Sequence, residues 1–306
     1  MAQKEQIKNP TEGLQLWKVV GVFTLVFTAV QLAFAALDVG KDYLMELINA
    51  SDNLRVFVGS TISRAGMIAA IILITAPVIR AVLNKPGVES LYPRAKNTWK
   101  DLLVGIGISS AAMLIVFLIE LTFGWISVTG LALDGAAPDA WLRAIWMALL
   151  FNLTVSVGEE VLFRGLLMQG TIEAWDEWGA LFISSVIFGG YRIIDIGLNN
   201  ANWLQFIPFL ALPGVMFGWA YLRSGNLWLA TGLHFAWNTW QGDILNLTGA
   251  HRGKNLFGLV TNVTGPEWFV GTSYGIEVGA AGVLCLVLAA AGIWWWTKKS
   301  NLQRND

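Results

Sequence analysis

Two adjacent glutamates and an arginine, Glu159, Glu160 and Arg164, stand in the run Ser156-Val-Gly-Glu-Glu-Val-Leu-Phe-Arg164-Gly165, inside an otherwise apolar stretch. An ionisable group within lipid costs about 2.5 kcal/mol or more and persists mainly where it is paired or used. On a helix, residues four apart share a face and residues five apart do not. Glu160 can therefore pair with Arg164 along its own helix, and Glu159 is left pointing elsewhere. A carboxylate that its own helix does not neutralise is a group that can take a proton from water as a general base, which makes Glu159 the candidate base. The same three residues would also serve as an ion-pair network that only joins helices.

A second constellation lies in Thr231-Gly-Leu-His234-Phe-Ala-Trp-Asn238. His234 and Asn238, four apart, share one face and can both donate hydrogen bonds to an oxygen that gains negative charge. Taken alone, the pair reads equally as a hydrogen bond between packed helices. At about 1.5 Å per residue, Glu159 is expected roughly 15 Å from the cytoplasmic end of its span, and His234 and Asn238 roughly 12 to 18 Å from theirs. The two sets can thus meet near the middle of a bilayer or on its cytoplasmic side.

The elements that must position these groups are membrane helices. Of the 306 residues, 55% are hydrophobic and 13% charged, with a mean hydropathy of +0.57, against about a quarter charged in soluble domains. Apolar runs of spanning length fall at about 17 to 37, 57 to 80, 102 to 125, 143 to 168, 178 to 196, 203 to 222, 226 to 247 and 270 to 296. The expectation is an all-α, polytopic membrane helical bundle of about eight transmembrane helices. Lys4, Lys8 and Lys18, then Arg80, Lys85, Arg94, Lys96 and Lys100, then Lys298, Lys299 and Arg304 all fall on one side, so both termini are expected in the cytoplasm. The bacterial inner (plasma) membrane is the expected location, with membrane lipid as the first partner. Sixteen tryptophans suit membrane interfaces, and a net charge of -1 leaves no footprint for nucleic acid. Cys285 is the only cysteine, which rules out an intrachain disulfide and a multi-cysteine metal site.

The ordered set Glu159-Glu160-x-x-x-Arg164, then Phe188-x-x-x-(192), then His234-x-x-x-Asn238 resembles the CPBP family, which includes type II CAAX prenyl endopeptidases and bacteriocin-processing relatives. The resemblance covers about residues 140 to 245 as a core, within a single membrane domain of residues 1 to 306. Residues 1 to 139 and 246 to 306 supply additional helices and loops. It implies an endopeptidase in which Glu159 and a histidine ending the second motif activate water, while His234 and Asn238 hold the oxyanion. Glu160 and Arg164 would organise the site. No metal and no other cofactor is implied, and the expected partner is a membrane-associated peptide or protein substrate.

One position departs from that pattern. Where the family has Phe-x-x-x-His, this chain has Phe188-Gly-Gly-Tyr-Arg192. Arginine has five donors and no acceptor, so Arg192 cannot take a proton from water, and a guanidinium beside Glu159 would stabilise its carboxylate and make it a weaker base. Arg192 could instead pair with Asp195 or orient the scissile carbonyl. The alternative function is a catalytically inactive relative that acts as a scaffold or assembly subunit of a membrane complex, with partner subunits in place of a substrate. A small transporter or pigment-binding subunit leaves the ordered motifs unexplained. Elsewhere, Arg64 and Glu120 could pair across helices, and Asp243 is expected at the far membrane interface. Gly189, Gly190, Gly214 and Gly218 are expected to let helices approach closely. The loops at 126 to 140 and 248 to 268 are expected to cover the far face, and the polar cavity is expected to open toward the cytoplasm.

Overall fold

The computed structural model describes residues 14–49, 51, 55–93, 98–196, 203–247, 257–272 and 275–304. Each of the eight apolar runs forms a long helical stretch: α1 (Leu16–Leu47), α2 (Ser60–Leu83), α3 (Lys100–Thr122), α4 (Pro138–Ala174), α5 (Glu177–Ile196), α6 (Trp203–Ser224), α7 (Leu227–Asn238) and α9 (Ala280–Arg304). A short α8 (Glu267–Val270) precedes the last of them. By length and composition α1, α2, α3, α4 and α9 are each able to cross a membrane, and the molecule is an all-helical, polytopic membrane protein. The helices α5, α6 and α7 do not reach that criterion among the described residues. In α7 the reason is its length and its content of Thr231, His234 and Asn238; it is buried along most of its length.

Two local features bear on the motifs. The helix α4 widens into a π-helical turn at Val161–Met168, directly after Glu160, and α7 continues as a π-helical turn at Thr239–Ile244, directly after Asn238. Such widened turns are frequent at functional positions because they release the regular i to i−4 bonding for one turn.

Glycine decides which helices come close. A Cβ on Gly232 would lie 2.2 Å from the Leu102 carbonyl oxygen, and one on Gly105 would lie 2.5 Å from that of Leu229, so α3 and α7 touch backbone to backbone. The same applies to α5 and α6, where a Cβ on Gly189 would lie 2.9 Å from the Ala211 nitrogen and one on Gly214 2.9 Å from the Ser185 Cα. These approaches stack the site-bearing helices against their neighbours.

The far-face loops hold more structure than loops alone. Strands β1 (Ile126–Leu131) and β2 (Leu259–Val263) pair antiparallel, with Ile126 opposite Val263 and a bulge between Val128 and Gly130. Ile-Ser-Val-Thr of β1 alternates apolar and polar residues, a short period-2 signal, whereas Leu-Val-Thr-Asn-Val of β2 does not alternate. Three other expectations are corrected. Arg64 lies over the Phe151 ring at 4.7 Å rather than beside Glu120, and both carboxylate oxygens of the fully buried Glu120 have no hydrogen-bond partner among the described residues. Asp243 is buried rather than interfacial and accepts from Asn152 Nδ2 at 2.7 Å. Finally, the end of the bundle expected to open toward the cytoplasm is crossed by a strap, residues 84–93, described next.

Candidate active site

Glu159, Glu160 and Arg164 occupy the stretch of α4 in which every residue from Gly158 to Thr171 is buried. Small residues hold it there: a Cβ on Gly158 would lie 2.9 Å from Ile71 Cδ1, and one on Gly165 2.4 Å from Leu91 Cδ1. The Phe163 ring, between the charged residues, meets Phe23 at 5.2 Å, Phe188 at 5.1 Å and Tyr191 at 5.9 Å. That aromatic cluster joins α1, α4 and α5 and fixes the rotation of α4 about its axis.

Within this frame Glu160 and Arg164 pair across one turn, Nη1 donating to Oε1 at 3.0 Å with both side chains fully buried. Arg164 Nη2 donates to the Gly214 carbonyl of α6 at 2.9 Å. The guanidinium also stands over Phe188 at 4.8 Å and Phe217 at 5.4 Å, which offsets part of the cost of burying a cation. Phe188 thus serves as a floor for Arg164 and, edge-on at 6.2 Å, as a wall for His234.

His234 is the residue that joins α4 to α7. Asn226 caps α7, its side chain accepting from the Trp228 N–H at 3.0 Å, and the imidazole two turns later stacks on Phe217 at 4.5 Å with an interplanar angle of 11°. Its Nδ1 lies 2.8 Å from Glu160 Oε1 and its Nε2 3.6 Å from Glu159 Oε2. Glu160 Oε1 already accepts from Arg164, so Nδ1 is the donor in this contact. That leaves Nε2, facing Glu159, as the nitrogen able to exchange a proton.

The two glutamates therefore stand in different surroundings. Glu160 is engaged by Arg164 and His234, whereas Glu159 Oε2 is buried and has no hydrogen-bond partner among the described residues. Glu160 Oε2 and Arg164 Nε share that condition. Three orphaned polar atoms at one point are uncommon in a native interior and mark a place where a further polar group is accommodated. Asn238, one turn beyond His234, is half-buried and carries no side-chain hydrogen bond among the described residues.

Arg192 of α5 is buried and lies 3.6 Å, Nη2 to Oε2, from Glu277. Glu277 sits in a 3₁₀ turn, Ile276–Val278, and its Oε1 accepts from Trp237 Nε1 at 3.1 Å. The Asp195 side chain, expected beside Arg192, lies outside the described residues. Glu277 was not among the expected site residues. The signal for it was an acid flanked by Gly271, Gly275, Gly279 and Gly282 at the mouth of an apolar run.

The strap closes the Leu227 end of the site. Leu91, 1% exposed, accepts from the Leu227 N–H at 2.8 Å through its carbonyl. The Tyr92 hydroxyl is 2.8 Å from Thr231 Oγ1, and Trp228 Nε1 donates to the Pro93 carbonyl at 3.1 Å. The first turn of a helix needs acceptors for its N–H groups, and Leu91 supplies one, which is why the strap lies across the site and not away from it. Among the described residues no group of three or more His, Cys, Asp or Glu side chains is arranged to hold a metal ion.

Compared with known proteins, residues 141–240 match the family model for type II CAAX prenyl endopeptidase Rce1-like proteins. No curated protein and no solved structure matches the chain. The matched segment contains Glu159, Glu160, Arg164, Phe188, Arg192, His234 and Asn238, and excludes the strap and Glu277.

Proposed function

From the CPBP-type, Rce1-like segment that this integral membrane protein carries over residues 141–240, we propose that the chain is an intramembrane endopeptidase. It hydrolyses a peptide bond of a membrane-associated substrate, in a bacterial plasma membrane, through water activated by Glu159. The observation that carries the reading is the pairing of Glu159 Oε2, buried and without a hydrogen bond, with His234 Nε2 at 3.6 Å. That separation exceeds a direct N–H to O hydrogen bond and leaves both atoms able to bond to one shared water.

The chemistry then follows from the donors and acceptors. Water gives a proton to Glu159 as its oxygen bonds to the carbonyl carbon, and the carbonyl π electrons move onto oxygen. The Asn238 amide donates to that oxyanion, joined by His234 when Nε2 carries a proton, and the Nδ1 contact with Glu160 fixes the orientation of the ring. When the tetrahedral intermediate collapses the C–N bond breaks, and the leaving nitrogen takes the proton held by Glu159. Arg164 holds the Glu160 side chain in place, and Phe217 keeps the imidazole plane fixed.

A second reading is supported by Arg192. Its guanidinium has no acceptor, occupies the position of the family's second-motif histidine and is paired with Glu277. On that reading the chain keeps the fold and serves as a scaffold or assembly subunit. The test is cleavage of prenylated and unprenylated membrane peptides by purified protein in detergent. Cleavage by wild type and not by Glu159→Ala supports the protease; cleavage only by Arg192→His supports the scaffold.

A further inference from the structure

We infer that the lipid-facing cleft between α2 and α4 is a binding site for one phospholipid, whose phosphate is held by the Arg64 guanidinium.

Arg64 stands in the apolar stretch Phe57–Leu83, 27 residues long, most of which is α2. At about 1.5 Å per residue that stretch measures about 40 Å, against a hydrocarbon core of about 30 Å. Centred in the core, it carries Arg64, two helical turns past Phe57, about 5 Å inside the boundary. A guanidinium at that depth requires an anion or good acceptors. The protein supplies little of either. Of the five N–H donors, Nη1 reaches the Met67 thioether at 3.2 Å, a weak acceptor, and Arg64 forms no ion pair among the described residues. Asp38, which faces α2 from α1, is engaged elsewhere: its Oδ1 accepts from Ser63 Oγ at 2.7 Å and lies 3.7 Å from Lys41 Nζ.

The surroundings turn the group toward lipid. The Phe151 ring of α4 lies 4.7 Å from the guanidinium, over its face. Phe151 and Ile62 are both exposed, so acyl chains reach the cleft and have an apolar surface to lie on. Trp146, also exposed, bridges the same two helices nearer the membrane surface, its Nε1 donating to Thr61 Oγ1 at 3.0 Å. Indoles of this kind sit at the level of the lipid headgroups, and Thr61 is one helical turn from Arg64 on the same flank of α2. A phosphate at that level is within reach of a side chain as long as arginine. Its two unesterified oxygens match the planar guanidinium fork bidentately. With Phe151 against its face, the guanidinium presents an edge to this ligand, and the lipid brings its own apolar tail to the exposed Ile62 and Phe151.

The experiment is native mass spectrometry of the full-length protein released from detergent micelles and titrated with dioleoylphosphatidylglycerol. Dioleoylglycerol, which lacks the phosphate, is titrated alongside. Wild type is expected to retain one phosphatidylglycerol and no dioleoylglycerol. Arg64→Gln is expected to weaken that retention about tenfold, the low end for hydrogen bonds to a charged group. Arg64→Lys, which keeps the charge and loses the fork, should weaken it about threefold. Lys298→Gln, at an exposed cation on the other end of the bundle, should leave it unchanged. Should Arg64→Gln fail to fold, Arg64→Lys decides: weaker retention supports the site and unchanged retention overturns it. Equal losses in Arg64→Gln and Lys298→Gln show a general attraction of anionic lipid and overturn the site, as does equal retention of dioleoylglycerol or no lipid kept by wild type. Retention that withstands an excess of inorganic phosphate supports a lipid ligand, whereas displacement assigns the cleft to a soluble phosphate and overturns the lipid. No substrate is used, so the outcome does not depend on whether the chain hydrolyses a peptide bond.

Discussion

Glu160 and Arg164 form an ion pair with both side chains fully buried, so removing one partner strands the other charge. That situation costs about 3 to 5 kcal/mol, whereas replacing both partners by apolar residues of similar size is often close to neutral. Glu160→Leu and Arg164→Met are therefore each expected to destabilise the bundle by about 3 to 5 kcal/mol. In the double variant the charges are gone, and what remains is the Gly214 carbonyl, which loses the Arg164 Nη2 bond of 2.9 Å at a cost of about 1 to 3 kcal/mol. Summed independently, the single variants would cost about 6 to 10 kcal/mol, so the expected coupling is about 3 kcal/mol or more. Unfolding of purified protein in a dodecyl sulfate titration, followed by tryptophan fluorescence, measures all three. Cleavage should be lost in all three, because His234 Nδ1 loses its acceptor or that acceptor's counter-ion. Single-variant effects that add in the double would show that the pair is not coupled and refute the reasoning.

Other outcomes can be checked separately. Glu159→Gln should abolish cleavage while leaving the unfolding midpoint near wild type, because Oε2 has no hydrogen bond to lose. Gly232→Ala would drive a methyl to 2.2 Å from the Leu102 carbonyl oxygen and should cost about 1 to 3 kcal/mol or more, read in the same titration. Glu89, exposed in the strap, has its carboxyl held below the usual range by its own backbone N–H and then by Arg80. A carboxyl depressed in the folded state stabilises above its unfolded midpoint, and the contribution is lost as pH falls through the folded one. Arg80→Ala should therefore raise the Glu89 titration midpoint seen by carbon NMR, and an unchanged midpoint would refute the contact.

How far the sequence could be read depended on whether an interaction was local. The Glu160 to Arg164 spacing names its own partner because one helical turn determines it, and the eight apolar runs report helices because lipid admits little else. The contact between His234 Nδ1 and Glu160 joins residues 74 positions apart, so its existence could be expected from depth but not which nitrogen meets which acid. Glu277 escaped notice because its partners, Arg192 and Trp237, are set by a glycine loop whose fold no periodicity reveals. The Arg64 and Glu120 pairing failed for a related reason: compatible depth does not specify rotation, and the Phe151 face took the guanidinium. The β1 and β2 pairing was missed, both segments being expected as loops, because only β1 alternates and its partner lies four helices further along the chain.

For the proposed endopeptidase the strap sets a threshold to entry. A polypeptide that approaches Glu159 from the Leu227 end has to lift Leu91, almost fully buried, and part Tyr92 from Thr231. Exposing one such leucine and losing one hydroxyl contact amounts to roughly 2 to 4 kcal/mol. Apparent affinity falls in proportion to the population of the open form, here roughly 30- to 1,000-fold. For the endopeptidase proposed above, a chain that a second attachment keeps at this doorway is therefore expected to be cut in preference to one held loosely in the bilayer.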